Sequence, residues 1–196
     1  KNMLLGKDNT NRNLSYSDQP GNQIAGIDFV YSGLNLFRND VKVYGQFLGE
    51  DGPDPLNSTL HFIKFPSKRF SMFGLSISNN RIIMNIEHAN TDSGFKNMTY
   101  NHSIYKSGYR HKGSPIGSSI DGDSHKTFLS IKINLKNFDE YLNIKFQKMH
   151  INQNNNIYSK WEDLSYRNNE LNIKYSRKIN SNLLLEGVLI LRDPSI

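Results

Sequence analysis

The chain contains no cysteine, so neither a disulfide framework nor a thiolate metal site can hold it together. Long apolar runs are missing too. A membrane-spanning helix needs roughly 20 consecutive apolar residues, and the longest run here, 183–191, is broken by Glu186 and Gly187. Helical spanning is excluded, but a barrel strand alternates and never raises a hydropathy window. The opening Lys1-Asn2-Met3-Leu4-Leu5-Gly6 has no apolar stretch of signal-peptide length, which is expected of a mature, truncated or cytosolic chain. Apolar residues are scarce, 36% of 196, and the mean hydropathy is −0.61. Disorder would fit such polarity, yet 10 Tyr and 11 Phe are more than disordered segments carry. One apolar and one wet face along the whole chain reconciles the two facts.

The net charge of +6 is spread among Asn, Ser and Tyr with no arginine-rich stripe. A nucleic-acid footprint clusters, so no nucleic-acid partner is expected.

What the sequence does have is alternation. Leu129, Ile131, Ile133 and Leu135 are interleaved with Ser130, Lys132 and Asn134. Leu142, Ile144 and Phe146 are interleaved with Asn143 and Lys145, and Leu171, Ile173 and Tyr175 with Asn172 and Lys174. Successive strand side chains point to opposite faces, so each segment has an apolar and a polar side. Strands are predicted near 24–34, 41–50, 69–79, 81–92, 124–135, 141–151, 170–178 and 183–191. Most approach the roughly 9–11 residues of a tilted spanning strand.

The connections alternate as well. Residues 35–40, 79–80, 136–140 and 179–182 are short links, while 51–68, 93–123 and 152–169 are long. A soluble meander has no reason to keep every long loop at one end. An outer-membrane barrel does, with short periplasmic turns and long extracellular loops. The fold class expected is all-β, an antiparallel up-and-down meander forming about half of a large outer-membrane barrel. Residues 1–23 would be a loop or terminal segment and 24–191 strands and loops of a single partial barrel domain. A soluble sandwich shares the alternation but not the loop asymmetry.

Catalytic and metal chemistry find little support. Asp121-Gly122-Asp123 opens like a calcium loop, but the later ligands and closing Glu are absent, which favours a turn. Asp51-Gly52-Pro53-Asp54 is turn chemistry. His102 and His111 lie too far apart for a helical metal pair and adjoin no convincing nucleophile. Glu87 and His88 are strand neighbours on opposite faces, and Glu87 joins Arg81 and Asn85 on the inner side. The chain is therefore expected to be no enzyme and to need no cofactor or metal.

Two loops differ in kind. Residues 107–123 hold Tyr109, Arg110, His111, Lys112, Asp121 and Asp123 among four glycines and Pro115. Residues 152–169 hold the only tryptophan, Trp161, with Tyr158, Tyr166, Glu162, Asp163 and Arg167. Flat aromatic faces beside hydrogen-bonding groups suit sugar rings, although such residues also pack loops or sit at a membrane interface.

The string YNHSIYKSGYRHKGSPIGSSIDGDS at 100–124 resembles the signature region of the Wzi capsule-assembly family. That region runs from Tyr-Asn-His through Gly-Tyr and Gly, Pro, an aliphatic residue and Gly to an acidic end. VYGQFLGED at 43–51 and MFGLSIS at 72–78 are similar to two of the family's strands, and the likeness covers about 27–191. The resemblance implies a barrel of about eighteen strands and a lectin-like role, holding capsular polysaccharide at the cell surface. Relative to the family pattern the signal peptide, periplasmic helical part, first barrel half and one closing strand are missing. The expected partners are therefore surface polysaccharide, outer-membrane lipid and the remainder of the barrel. Stacking is expected from Tyr109 and Trp161, with hydrogen bonds and charge from Arg110, His111, Lys112, Asp121 and Asp123. Basic groups there would attract acidic sugars, an effect that salt weakens. A porin-like channel and a soluble all-β carbohydrate-binding module are the alternatives.

Overall fold

The computed structural model describes residues 13, 24–53, 66–92, 100, 109–112, 114–135, 139–154, 164–181 and 183–195, of which 24, 25, 50–53, 66–69, 194 and 195 are described by backbone alone. The strands are β1 (Ile24–Leu36), β2 (Asn39–Pro53), β3 (Pro66–Ser78), β4 (Ile82–Asn90), β5 (Arg110–His111), β6 (Ser114–Pro115), β7 (His125–Asn134), β8 (Glu140–Ile151), β9 (Tyr166–Asn180) and β10 (Leu183–Ser195). Eight of them form one sheet in the order β1-β2-β3-β4-β7-β8-β9-β10, and every neighbouring pair is antiparallel. Sequence neighbours are thus spatial neighbours throughout, which is an up-and-down meander. Its two edges, β1 and β10, are not paired with each other.

All eight long strands lie where alternation predicts them. Four features do not follow from it. β2 runs on through Asp51, Gly52 and Pro53, expected as a turn, because Pro53 pairs with Pro66 beyond a bulge, and β9 begins at Tyr166, inside the expected 152–169 loop, because Ile151 and His150 of β8 pair with Tyr166 and Arg167. The ribbon β5–β6 forms inside a long loop, and β10 continues past residue 191, pairing Asp193, Pro194 and Ser195 with Asn169, Asn168 and Arg167.

Short turns collect at one end. Phe37 and Arg38 have φ of 51° and 64°, so both centre residues of the β1–β2 turn are left-handed. Such a two-residue turn matches the right-handed twist of its strands. The side-chain amide of Asn39 steadies it by donating to the Leu36 and Phe37 carbonyls. In the β3–β4 turn the Asn79 side-chain Oδ1 accepts from the Arg81 and Ile82 backbone amides. The Asn79 side-chain Nδ2 in turn donates to Asn39 Oδ1 at 2.8 Å, tying the two turns together.

Register assigns each side chain to a face. One face carries Ile27, Phe29 and Tyr31, then Val41, Val43 and Phe47, then Phe73, Leu75 and Ile77. It continues through Ile82, Met84 and Ile86 to Leu129, Ile131 and Ile133, and on through Leu142, Ile144 and Phe146 to Leu171, Ile173, Leu189 and Leu191. The other face carries Lys42, Asn85, Glu87, Ser130, Lys132, Lys145, Asn172, Lys174 and Glu186. The apolar side is exposed on the interior strands, Phe73 by 52% and Ile86 by 41%. A continuous apolar surface of this extent does not persist in water.

The apolar band also runs obliquely. On β1–β3 it includes Ile27, Phe29, Phe47 and Phe73, whereas β4, β7, β8 and β9 place His88, Thr127, Lys148 and Asn169 in the register row of Phe73. On β10 it reaches the opposite way, to Leu185, which faces Arg177. Tilted strands crossing a flat apolar slab produce such a drift against register.

Glycines let aromatic rings lie across the sheet. On the polar face the Tyr44 ring covers Gly74, where an added Cβ would meet it at 2.2 Å, and its hydroxyl donates to Glu87 at 3.2 Å. On the apolar face Gly45 leaves room for Phe29 and Phe73, whose centroids lie 6.4 Å apart.

Ile131→Lys places a charge in the middle of the apolar band and is expected to cost about 2–4 kcal/mol, whereas Ser130→Lys costs far less. Urea titration during bilayer refolding of the full-length protein compares the two. Equal costs would remove the assignment of faces.

Candidate functional site

All three long connections leave the sheet at the end opposite the short turns. Where β4, β7, β8 and β9 finish, short polar side chains join their ends. The Thr91 amide and hydroxyl both donate to the Ser124 carbonyl, and the Ser124 amide donates back to the Thr91 hydroxyl. The Ser124 hydroxyl donates to the Gly122 carbonyl and accepts from the Asn152 amide. Asn152 reaches the Leu164 carbonyl at 3.4 Å. Ser124 and Asn152 are fully buried, so unpaired backbone groups here would be costly. Asp121, Asp123 and Asn152 have φ of 61°, 55° and 51°, a backbone region that Asp and Asn tolerate better than most side chains.

On this base stands a second cluster centred on Tyr100, which is 1% exposed. Its hydroxyl accepts from the Ser118 amide at 2.9 Å, and its carbonyl accepts from the Tyr109 amide at 2.8 Å. An added Cβ at Gly117 would meet the Tyr100 hydroxyl at 2.4 Å, so only glycine leaves room for the ring. Phe70 meets Tyr100 edge-on at 5.0 Å between centroids, and Tyr109 stacks on it at 6.1 Å with 21° between planes. Phe70 pairs with Leu48 and so belongs to the polar face of the sheet. The loop therefore leans over that face.

The sequence-predicted residues divide by what they touch. Arg110 and Asp121 form a buried two-point ion pair, Nη2 to Oδ1 at 2.7 Å and Nε to Oδ2 at 3.1 Å, with side-chain exposures of 6% and 0%. Asp123 accepts from the Asn154 backbone and side-chain amides at 2.7 and 2.6 Å. These three side chains hold one loop segment to another. Tyr109, His111 and Lys112 are exposed and follow one another along β5 and its turn, with Lys112 at a φ of 49°. Trp161 lies outside the described residues, as do His102 and Tyr158. Among the described residues no three His, Cys, Asp or Glu side chains gather as metal ligands. Asp121-Gly122-Asp123 is a turn whose carboxylates already have partners.

Sequence reasoning missed Tyr100 as the centre of this cluster. Its signal was present in the pairing of a tyrosine with a later Gly-x-Pro-x-Gly, whose last glycine is the one the ring requires.

The family model of the capsule assembly protein Wzi matches residues 1–192. The chain belongs to the Wzi capsule assembly family. A similar solved structure is Wzi of Escherichia coli, described as an outer membrane protein involved in group 1 capsule assembly and as a carbohydrate-binding β-barrel. The two share 22% sequence identity and a TM-score of 0.70, over 90% of this chain and 39% of that one. At that identity the likeness establishes the Wzi fold, and this chain spans well under half of the Wzi barrel protein. Comparison with curated protein sequences returns no match.

Arg110→Ala leaves Asp121 buried without its guanidinium, a change that typically costs about 3–5 kcal/mol. Limited proteolysis is expected to cut the 100–124 loop at least tenfold faster (about 1.4 kcal/mol per factor of ten) while the heat-modifiable band of the barrel persists. Unchanged cleavage would show that the loop does not depend on this pair.

Proposed function

We propose that the chain forms part of an outer-membrane barrel of the Wzi family that holds surface polysaccharide at its extracellular end. One observation carries this reading. A rigid base of Tyr100, Gly117 and the Arg110–Asp121 pair presents Tyr109, His111 and Lys112 side by side at the end of the sheet that bears the long loops. The Tyr109 ring offers a stacking face for sugar C–H groups, while His111 and Lys112 offer hydrogen bonds and positive charge to acidic or hydroxyl-rich chains. Arg110, Asp121 and Asp123 act in this reading by positioning those groups. Trp161 supplies a second stacking face from the connection between β8 and β9. The role is binding without catalysis, and the apolar face of the sheet meets outer-membrane lipid.

The polar face with Lys42, Lys132 and Lys145 suits a water-filled channel equally well, which is the ground for a porin-like reading. The packing of Tyr100 on Phe70 favours the binding role, because it draws the longest loop over the face that would line the pore. Planar-bilayer conductance separates the two.

Tyr109→Ala is expected to weaken polysaccharide retention roughly fivefold, the equivalent of about 1 kcal/mol of stacking, and Trp161→Ala similarly. His111→Ala with Lys112→Ala is expected to weaken retention at low salt and to matter less as salt rises. Retention is measured on cells carrying each change in the full-length protein, with barrel insertion checked by heat modifiability. Inserted variants that retain as much capsule as the parent would place the site elsewhere.

A further inference from the structure

The side of the sheet that bears the apolar band carries, just beyond that band at the long-loop end, a patch unlike anything else on it. In one register row lie His88, Thr127, Lys148 and Asn169, on β4, β7, β8 and β9. In the next row outward lie His125, His150 and Arg167. The two imidazoles of that row meet edge-on at 5.7 Å between centroids. Arg167 Nε donates to His150 Nε2 at 3.4 Å, with the Ser165 hydroxyl 3.1 Å from the same nitrogen. His88 Nδ1 lies 2.9 Å from the Thr127 hydroxyl, and His125 Nδ1 lies 3.3 Å from the Gln153 amide. His88, Lys148 and Arg167 are exposed. No carboxylate forms an ion pair with Lys148 or Arg167 among the described residues. Acidic groups nearby are Asp92, which acts on His125, Asp193 opposite Asn169, and Asp123, already bonded to Asn154.

Two facts define what fits. The same register rows on β1–β3 hold Ile27, Phe29, Gly45, Phe47 and Phe73, with the uncharged Ser71, so the charged and imidazole groups belong to four strands and are not a rim running along the whole sheet. One step inward, about 7 Å along the strands, come Ile86, Leu129, Phe146 and Leu171. A ligand seated here must be anionic at one end and apolar at the other. An ammonium-bearing Lys148 in the register row beside the contacting Arg167, imidazoles and hydroxyls favours a tetrahedral oxyanion carrying more than one negative charge. We infer that this patch binds the phosphate of an outer-leaflet lipid, whose acyl chains lie along Leu129, Phe146 and Leu171. The inference goes beyond polysaccharide binding and rests on that reading for two things, the apolar face turned to lipid and the long-loop end being extracellular.

The test uses the full-length protein in detergent micelles and native mass spectrometry, with diphosphorylated lipid A, the same lipid A stripped of phosphate, and inorganic phosphate as probes. The parent should bind the phosphorylated form in preference to the stripped one. Lys148→Ala combined with Arg167→Ala should weaken that binding about tenfold or more, as expected for loss of hydrogen bonds to a charged group. Lys132→Ala combined with Lys145→Ala removes equal charge from the opposite face and should leave it unchanged. Heat modifiability confirms that each variant is inserted, and capsule retention, read separately, reports on the polysaccharide site. Equal binding by parent and rim variant overturns the proposal, as does equal binding of stripped and phosphorylated lipid A. Displacement of the lipid by millimolar inorganic phosphate would assign the patch to free phosphate and overturn the lipid assignment.

Discussion

The backbone ladder from β1 to β10 is the constraint on which the rest depends. An apolar medium offers no water to hydrogen-bond N–H and C=O groups, so a spanning chain must satisfy them internally. A meander does this with neighbours alone, and the unbroken antiparallel order leaves no interior strand with an unpaired side. Once that ladder exists, register obliges every second side chain to share a face. The apolar band, the charged face opposite and the collection of loops at one end all follow from it.

Polar chemistry is then used differently at different heights. Across the charged face, ion pairs bridge adjacent strands, Lys174 to Glu186 at 2.6 Å and Arg192 to Glu170 at 2.7 Å. These pairs are partly exposed, and such pairs contribute little net stability. At the loop end the same residue types are buried. The Arg110–Asp121 pair and the Thr91–Ser124–Asn152 set hold their geometry because separating them would leave desolvated groups without partners. Buried polar contacts are thus concentrated where the backbone is irregular.

The two tyrosines of the loop illustrate that division. Tyr100 is buried against Phe70 and Gly117 and acts as the post around which the loop closes. Tyr109 stacks on it and remains exposed. A ring stacked in this way keeps fewer rotamers than a free surface tyrosine.

The sequence by itself determined the strands, their order of pairing, the two faces and the alternation of short and long connections. It could do so because period two is a local property: a one-residue slip moves a whole apolar set to the wrong face, so Leu129, Ile131 and Ile133 carry their own register. The loop residues were legible only as a set. Nothing in their spacing separates Arg110, drawn into a buried pair with Asp121, from His111 and Lys112, left at the surface, since that depends on contacts across the loop. The extension of β10 through Pro194 was likewise hidden, because the ladder on β9, and not the apolar pattern, decides where an edge strand ends. Tertiary structure alone decided that Tyr100 is the centre of the loop cluster and that basic residues from four strands lie together on the apolar side. Both rest on juxtapositions between distant parts of the chain, which no local periodicity encodes.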